Sequence, residues 1–269
     1  MPTSSDQTAD ARAFARLHVP GDPLVLPNAW DAASARIVAA AGARAVATTS
    51  AGVAWSLGAT DGEGVTRSLA LEAVARIVHA VDLPVTADIE RGFGDGPSDV
   101  GDTVAWSIAS GVVGVNLEDS LRPIDEQVLR LQAARAAADD AGIPLFINAR
   151  IDTHRLPDTA WLDETVARAR AYRAAGASGV FVLGALRAEA VRALVTAVDV
   201  PVNVAYGPGT LSVHELAAAG AARISAGSSI AEAAYGLVGD LAGAMLDPAG
   251  TATATAPTVS YSELNRILG

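Results

Sequence analysis

The sequence predicts an α/β fold, a (β/α)8 TIM barrel with a C-terminal helical extension, and three observations carry that expectation. The first is size: 269 residues, 51% hydrophobic and only 18% charged, supply one large core and too little charge for disorder. Barrels of this kind occupy about 250 residues as a single unit. The second is repetition, because eight short apolar runs are each followed by a helical pattern. The third is the character of the runs. Leu145-Phe146-Ile147 and Val180-Phe181-Val182-Leu183 are apolar on consecutive positions, as strands buried on both faces require. An open doubly wound sheet is the alternative arrangement of the same units.

Taken in order, strands are expected to start near Leu24, Ala45, Pro84, Gly114, Pro144, Gly179, Pro201 and Arg223. Helices are expected over 31–41, 68–81, 98–110, 125–141, 161–175, 187–198, 212–219 and 228–246. Gly42, Gly111, Gly142, Gly176 and Gly220 follow helical patterns and precede apolar runs, the position where a left-handed cap ends a helix. Elsewhere Asp82-Leu83-Pro84 and Asp199-Val200-Pro201 do the stopping, since proline cannot continue a helix. Ser212 and Glu215 have the spacing of a capping box. The connection from Thr49 to Arg67 is much longer than the usual two to six or so residues and reads as a lid or binding loop. Residues 1–247 are thus the barrel. Residues 248–269 are a Thr/Ala linker and a short helix whose Tyr261, Leu264 and Ile267 suit docking on the barrel or on a neighbouring subunit.

Composition removes whole classes of chemistry. All 19 basic residues are Arg, so Schiff-base and pyridoxal enzymes and Gly-Lys-Ser/Thr phosphate loops are excluded. No Cys is present, which excludes disulfides, thiolate catalysis and zinc-thiolate sites. A net charge of -11 argues against nucleic acid as a partner. The polar N-terminus and the lack of any apolar window of about 18 residues predict a cytoplasmic protein without a membrane partner.

Residues at the C-terminal ends of barrel strands converge on one mouth. Here they include Asn28, Asp31, Ser50, Asp88, Glu90, Glu118, Asp119, Asn148, Arg150, Asp152, Asn203 and Tyr206. Asp88 and Glu90 lie two residues apart, hence on one side of an extended segment, and Glu118 comes from the next strand. Carboxylates gathered this closely call for a cation, and an all-oxygen set favours a hard one, Mg2+ or Mn2+. The competing reading pairs them with Arg91 and Arg150. Arg150 suits a two-pronged grip on a substrate carboxylate, or else a salt bridge to Glu118. Small residues at Ala51 and Gly52 would let backbone N–H groups approach an oxyanion. Gly92-Phe93-Gly94-Asp95-Gly96 lacks the spacing of a phosphate loop and reads as a turn. His18, His79 and His214 read as surface residues, and His154 alone stands near the mouth.

At these residues the sequence resembles the isocitrate lyase and phosphoenolpyruvate mutase superfamily, in its 2-methylisocitrate lyase-like and carboxyvinyl-carboxyphosphonate phosphorylmutase-like members. The resemblance runs through 26–32, 49–61, 86–94, 115–119 and 147–152, five motifs in order. It implies a Mg2+-dependent barrel acting on small 2-oxo acids or their hydroxy-acid precursors through an enolate, as a dimer of dimers with an exchanged C-terminal helix. It further implies Asp88 as direct metal ligand, with Glu90 and Glu118 reaching the ion through water. Asp61 on a mobile loop, Glu118 and Arg150 are then the catalytic residues. Trp30, Ser50, Ala51, Gly52 and Asn203 join Arg150 in binding substrate.

The sequence also departs from the pattern. Where the lyases carry a Lys-x-Cys-Gly-His loop, this chain reads Glu118-Asp119-Ser120-Leu121-Arg122-Pro123, and the Lys- and Asn-bearing loop of the mutases is missing too. The expectation is therefore a carbon-carbon lyase for a small 2-oxo or 2-hydroxy dicarboxylic acid. The alternatives are a hydrolase or phosphomutase of the same superfamily, acting on an oxaloacetate or phosphonopyruvate type of substrate, and a barrel that only binds a dicarboxylate.

Overall fold

The computed structural model describes residues 4–156, 161–247 and 267. Its strands are β1 (Leu24–Leu26), β2 (Asn28–Ala29), β3 (Val46–Thr48), β4 (Val85–Asp88), β5 (Gly114–Glu118), β6 (Phe146–Ile151), β7 (Gly179–Val182), β8 (Val202–Ala205) and β9 (Arg223–Ser225). All pair in parallel, in the order β1-β9-β8-β7-β6-β5-β4-β3-β2. β1 pairs with β9 and β2 with β3, and only Pro27 separates β1 from β2 in the chain. Proline has no N–H to give a ladder, so one stave is divided at Pro27 and eight staves close the ring. The barrel expected from the sequence is the fold observed.

The helices are α1 (Ser4–Arg16), α2 (Ala32–Ala40), α3 (Ser50–Ser56), α4 (Arg67–Ala80), α5 (Pro97–Ala109), α6 (Ile124–Asp140), α7 (Trp161–Ala174), α8 (Ala188–Ala197), α9 (Val213–Ala218) and α10 (Ser229–Leu246). Eight of these match the expected ones to within about two residues. Outward strand residues such as Leu117, Ile147, Ala149 and Val180 meet Leu131, Ala134, Ala138 and Ala169 on the helices in one continuous core. Each fully buried aliphatic side chain of Val or Leu size contributes about 1.5–3 kcal/mol.

Two helices were not expected. α1 closes the barrel floor: Phe14 is fully buried with its ring edge-on to Phe146 at 5.7 Å, and His18 stacks on Phe146 at 3.9 Å. His18 is therefore a floor residue, not the surface residue its neighbourhood suggested. Gly114 and Gly179 make room for these rings, since a Cβ would come to 3.0 Å from Phe14 and 2.9 Å from Phe146 respectively. α3 occupies the first part of the long 49–67 connection, capped by Thr49, and leaves only 57–66 irregular. Its helix has a glycine where the chain crowds: a Cβ on Gly52 would stand 2.8 Å from both Thr49 and the Cβ of Trp30.

α10 does not cover the barrel as its neighbours do. Of its residues only Ala231 is buried, while Val238, Met245 and Leu246 are 63%, 84% and 80% exposed. An apolar groove lined by Val25, Leu26, Tyr206, Val213, Ile224 and Ile230 runs beside it. The expected linker and docking helix over 248–269 lie outside the described residues, apart from the helical Ile267.

Candidate active site

Asp88 is the last residue of β4, and its amide donates to Thr48 Oγ1 at 2.8 Å, which ties it to the neighbouring stave. Its Oδ1 accepts from the Glu90 amide at 3.1 Å and its Oδ2 from Ser50 Oγ at 3.4 Å. Burial pushes the Asp88 carboxyl up to about 6; Glu118 and Asp61 push the same way, and Arg150 opposes them. Glu90, 3% exposed and held at φ 49°, is pushed up to about 7, again by burial first. Its carboxylate is turned onto the backbone N–H of Glu63 in the 57–66 loop.

That loop folds over the β4 end. The Glu63 carboxylate accepts from Arg91 at 2.9 Å and from the Phe93 amide at 3.1 Å. Asp61 itself is exposed, yet close enough to raise the proton affinity of both Asp88 and Glu90. The glycine-rich 92–96 turn points its carbonyls at a cation: Arg130 donates to Gly94 O and Asp95 O, each at 2.9 Å. Carbonyls arranged this way suit no phosphate, in keeping with the expected turn.

Glu118 and Arg150 are register partners on β5 and β6. Arg150 Nη1 lies 2.8 Å from Glu118 Oε2, and Nε donates to Asp152 Oδ1 at 2.9 Å. Ser120 Oγ donates to Glu118 Oε1 at 2.8 Å. The salt bridge weighed as the competing role of Arg150 is thus present, and the guanidinium is split between two carboxylates rather than left bare. Ser120 and Leu121 both adopt left-handed φ, 45° and 60°, which turns the chain into α6 at Ile124 within five residues. No lid can be built from so short a segment.

The remaining site expectations divide. Ser50 reaches the mouth through its bond to Asp88. Ala51 and Gly52 are buried at the start of α3, where the Gly52 amide donates to the capping Thr49 Oγ1 at 3.5 Å. The Trp30 ring lies 6.2 Å from that of Tyr235 of α10, and Trp30 lines a groove with Ile37 and Ile230. Trp55 also packs on Tyr235, edge-on at 6.2 Å, which makes it a packing aromatic. Asn203 is inside the barrel, 1% exposed, with Oδ1 accepting from Ser225 and Nδ2 without a partner among the described residues.

Sequence reasoning missed the deepest cation. Arg223 is fully buried and donates through Nη2 to Asn116 Oδ1 at 3.2 Å, while Nε and Nη1 have no partner among the described residues. Asn148 shares the same acceptor at 2.9 Å. Burial drags the Arg223 guanidinium down to about 9, with Asp88 pulling the other way. A charged residue inside the otherwise apolar run Ala221-Ala222-Arg223-Ile224 was the available signal.

Among the described residues no three His, Cys, Asp or Glu side chains stand as a ready-made metal cluster. The donor set nevertheless fits Mg2+, which takes one or two carboxylates directly and keeps several waters. Asp88 would supply the direct oxygen donor, and the neighbouring Glu118 and Asp61 charges add to the burial that raises its proton affinity.

A parallel α/β barrel with carboxylates and a guanidinium at the C-terminal ends of adjacent staves belongs to the class that builds its site on that face. The chain belongs to the phosphoenolpyruvate phosphomutase family, whose profile matches residues 14–246, and so to the superfamily it resembles. It is 39% identical to an uncharacterized protein of Mycobacterium tuberculosis over 219 residues, 80% of this chain and 82% of that one. Against 2-methylisocitrate lyase of Bacillus subtilis it is 30% identical over 190 residues, 66% of this chain and 60% of the lyase. A Burkholderia cenocepacia structure provisionally termed a lyase/mutase superposes with TM-score 0.88 at 40% identity, covering 97% of this chain and 95% of its own. The structure of 2,3-dimethylmalate lyase superposes with TM-score 0.83 at 26% identity, covering 100% and 95%.

Proposed function

We propose that the protein is a Mg2+-dependent carbon-carbon lyase acting on a small 2-oxo or 2-hydroxy dicarboxylic acid. The observation that carries this reading is the pairing of recessed Asp88 with Arg150 at the ends of nearby staves, two residues that influence one another electrostatically. When bound, Mg2+ supplies Lewis-acid polarisation of the substrate oxygen next to the carboxylate. Asp88 would hold it directly, with Glu90 and Glu118 reaching it through water.

Arg150 grips the substrate carboxylate, its fork kept in one orientation by Glu118 and Asp152. Ser50 contributes a hydroxyl beside Asp88. The 57–66 loop, with Asp61 near the metal ligands and Glu63 latched to Arg91, excludes water and commits the substrate. Asn203 offers its unpartnered Nδ2 from within the barrel.

The relatives named oxaloacetate decarboxylase, one of them from Paraburkholderia xenovorans and 32% identical over 168 residues, favour decarboxylation as a second reading of the same bond-breaking chemistry. The test is a panel of 2-oxo acids and branched malates, assayed with Mg2+ and followed by mass spectrometry. A new carbonyl product supports the lyase and carbon dioxide the decarboxylase. Undiminished turnover after chelation would sink the metal reading.

The reading includes a cytoplasmic homo-oligomer, a dimer of dimers. Its support is the exposed apolar side of α10 beside an apolar groove, a surface of the kind a second copy covers. No helix among the described residues is long and apolar enough to cross a membrane.

A further inference from the structure

Glu118 and Asp119 are consecutive, so their side chains leave the end of β5 on opposite sides. Glu118 enters the mouth. Asp119, fully buried, enters the layer between the barrel and α7, where its carboxylate accepts four hydrogen bonds. Oδ1 takes the amides of Leu121 at 3.0 Å and Asp152 at 3.1 Å. Oδ2 takes Arg168 Nη1 at 2.9 Å and the Tyr172 hydroxyl at 2.8 Å. Arg168 also donates to Arg122 O at 2.9 Å, which bolts α7 to the turn after β5, and its Nε donates to Glu164 one turn back in α7 at 2.8 Å.

Every acceptor position of Asp119 is therefore used, and two of the four donors belong to the segments that shape the site. The Asp119 amide donates to Arg150 O at 3.1 Å, so this one residue is fastened to both Arg150 and Asp152. Asp152, also fully buried, is what orients the Arg150 guanidinium through Nε. A buried ion pair is a weak source of stability, because well-packed apolar side chains serve as well or better. What it fixes is geometry.

We infer that Asp119, clamped by Arg168 and Tyr172, is a positioning residue that sets the Arg150 guanidinium by holding Asp152. The inference rests on Arg150 being the substrate-carboxylate grip. Arg150 touches the substrate; Asp119 acts only through Asp152. Displacing the Asp152 backbone by a few tenths of an ångström tilts the fork and weakens two-pronged binding without touching Asp88.

The test uses oxalate, the smallest dicarboxylate, as probe, titrated calorimetrically into the full chain in Mg2+, with Mg2+ alone titrated separately. Asp119→Asn keeps the shape but turns an amide nitrogen toward Arg168; Tyr172→Phe removes a single bond and is the gentler variant. Oxalate affinity is expected to fall about tenfold in the first and about threefold in the second, within the range for an ordinary single hydrogen bond, while Mg2+ affinity changes less than twofold. Both losses should vanish in an Arg150→Lys background, the non-additivity that marks residues acting as a unit. Should Asp119→Asn fail to fold, Tyr172→Phe carries the test alone. Lower melting temperatures with unchanged oxalate affinity, or losses fully additive with Arg150→Lys, would overturn the proposal and leave a structural clamp. If Arg150→Lys itself binds oxalate as the wild type does, the reading of Arg150 falls first and takes the proposal with it.

Discussion

Arg150 and Glu118 face one another across neighbouring staves, Nη1 to Oε2 at 2.8 Å, and Asp152 holds the other edge of the same guanidinium at 2.9 Å. The fork is planar and its donors point in fixed directions, so three carboxylates can be served at once only if each takes its own edge. Two of those edges are occupied by the protein, and the third is what a substrate would meet.

Arg150→Lys is therefore expected to cripple substrate use although the charge is kept. A single ammonium cannot bridge Glu118, Asp152 and a ligand together. The expected loss is about 2 kcal/mol in transition-state stabilisation, roughly 30-fold in kcat/KM. Steady-state kinetics on whichever acid the panel identifies decides it, and wild-type efficiency would make Arg150 a structural residue.

Asp88 gives a prediction of opposite sign for stability. Its folded-state value, about 6, stands above the ordinary 3.8, so the folded chain holds a proton that the unfolded chain releases. The favourable contribution is present below about pH 4 and is lost as pH rises through 6. Metal-free Asp88→Asn should match the wild type near pH 4 and exceed it by about 2 to 3 kcal/mol at pH 7, at 1.4 kcal/mol per unit. Saturating Mg2+ should close the gap by stabilising the wild type alone. Urea denaturation at the two pH values, with and without chelator, measures this; parallel curves for the two proteins would refute it. The same variant should have no Mg2+-dependent activity.

Much of this arrangement was legible in the sequence, for identifiable reasons. Glycine caps and proline stops fix where helices end, and that alone locates seven of the eight staves; strand-end carboxylates then follow by position. What was not legible depends on packing across the chain. α1 has few apolar residues, Ala11 and Phe14 among them, and is helical because these plug the floor against Phe146. Ser50-Ala51-Gly52 looks like a loop by composition, yet Thr49 caps it and its small side chains fit under Trp30 and Ala231. The Trp30 ring lies 6.2 Å from that of Tyr235, about 200 residues away, a contact that no local pattern encodes.

The gate offers a third test. Glu63 bonds Arg91 and the Phe93 amide, so these contacts hold 57–66 over Glu90. Glu63→Ala should leave the barrel intact, since an ion pair this exposed contributes about 1 kcal/mol or less. It should nonetheless open the loop, raising KM several-fold and speeding limited proteolysis within 57–66. Cleavage confined to 119–123 in wild type and variant alike would show that the gate lies elsewhere.

The last prediction concerns the floor, far from the chemistry. His18 is 6% exposed, stacked on Phe146 and edge-on to Phe14, with Nδ1 against Phe14 O at 2.9 Å and Nε2 without a partner among the described residues. Burial first, then the nearby charge of Arg223, pulls its value from 6.5 down to about 3. The folded chain thus refuses a proton that the unfolded chain accepts, the reverse of Asp88. Stability from this group is complete above pH 6.5 and is lost as pH falls from there toward 3. By pH 5 the loss amounts to about 2 kcal/mol, at 1.4 kcal/mol per unit below 6.5. Because Asp88 and Glu90 gain over the same range, the wild-type curve alone cannot isolate the effect; the difference from His18→Phe can. That variant keeps an aromatic ring on Phe146 and has nothing to titrate. Its stability relative to wild type should rise by about 2 kcal/mol between pH 7 and pH 5 in urea denaturation. A difference independent of pH would mean that His18 takes up its proton without leaving the floor, and that the stacked, unpartnered imidazole is less sealed than its burial indicates.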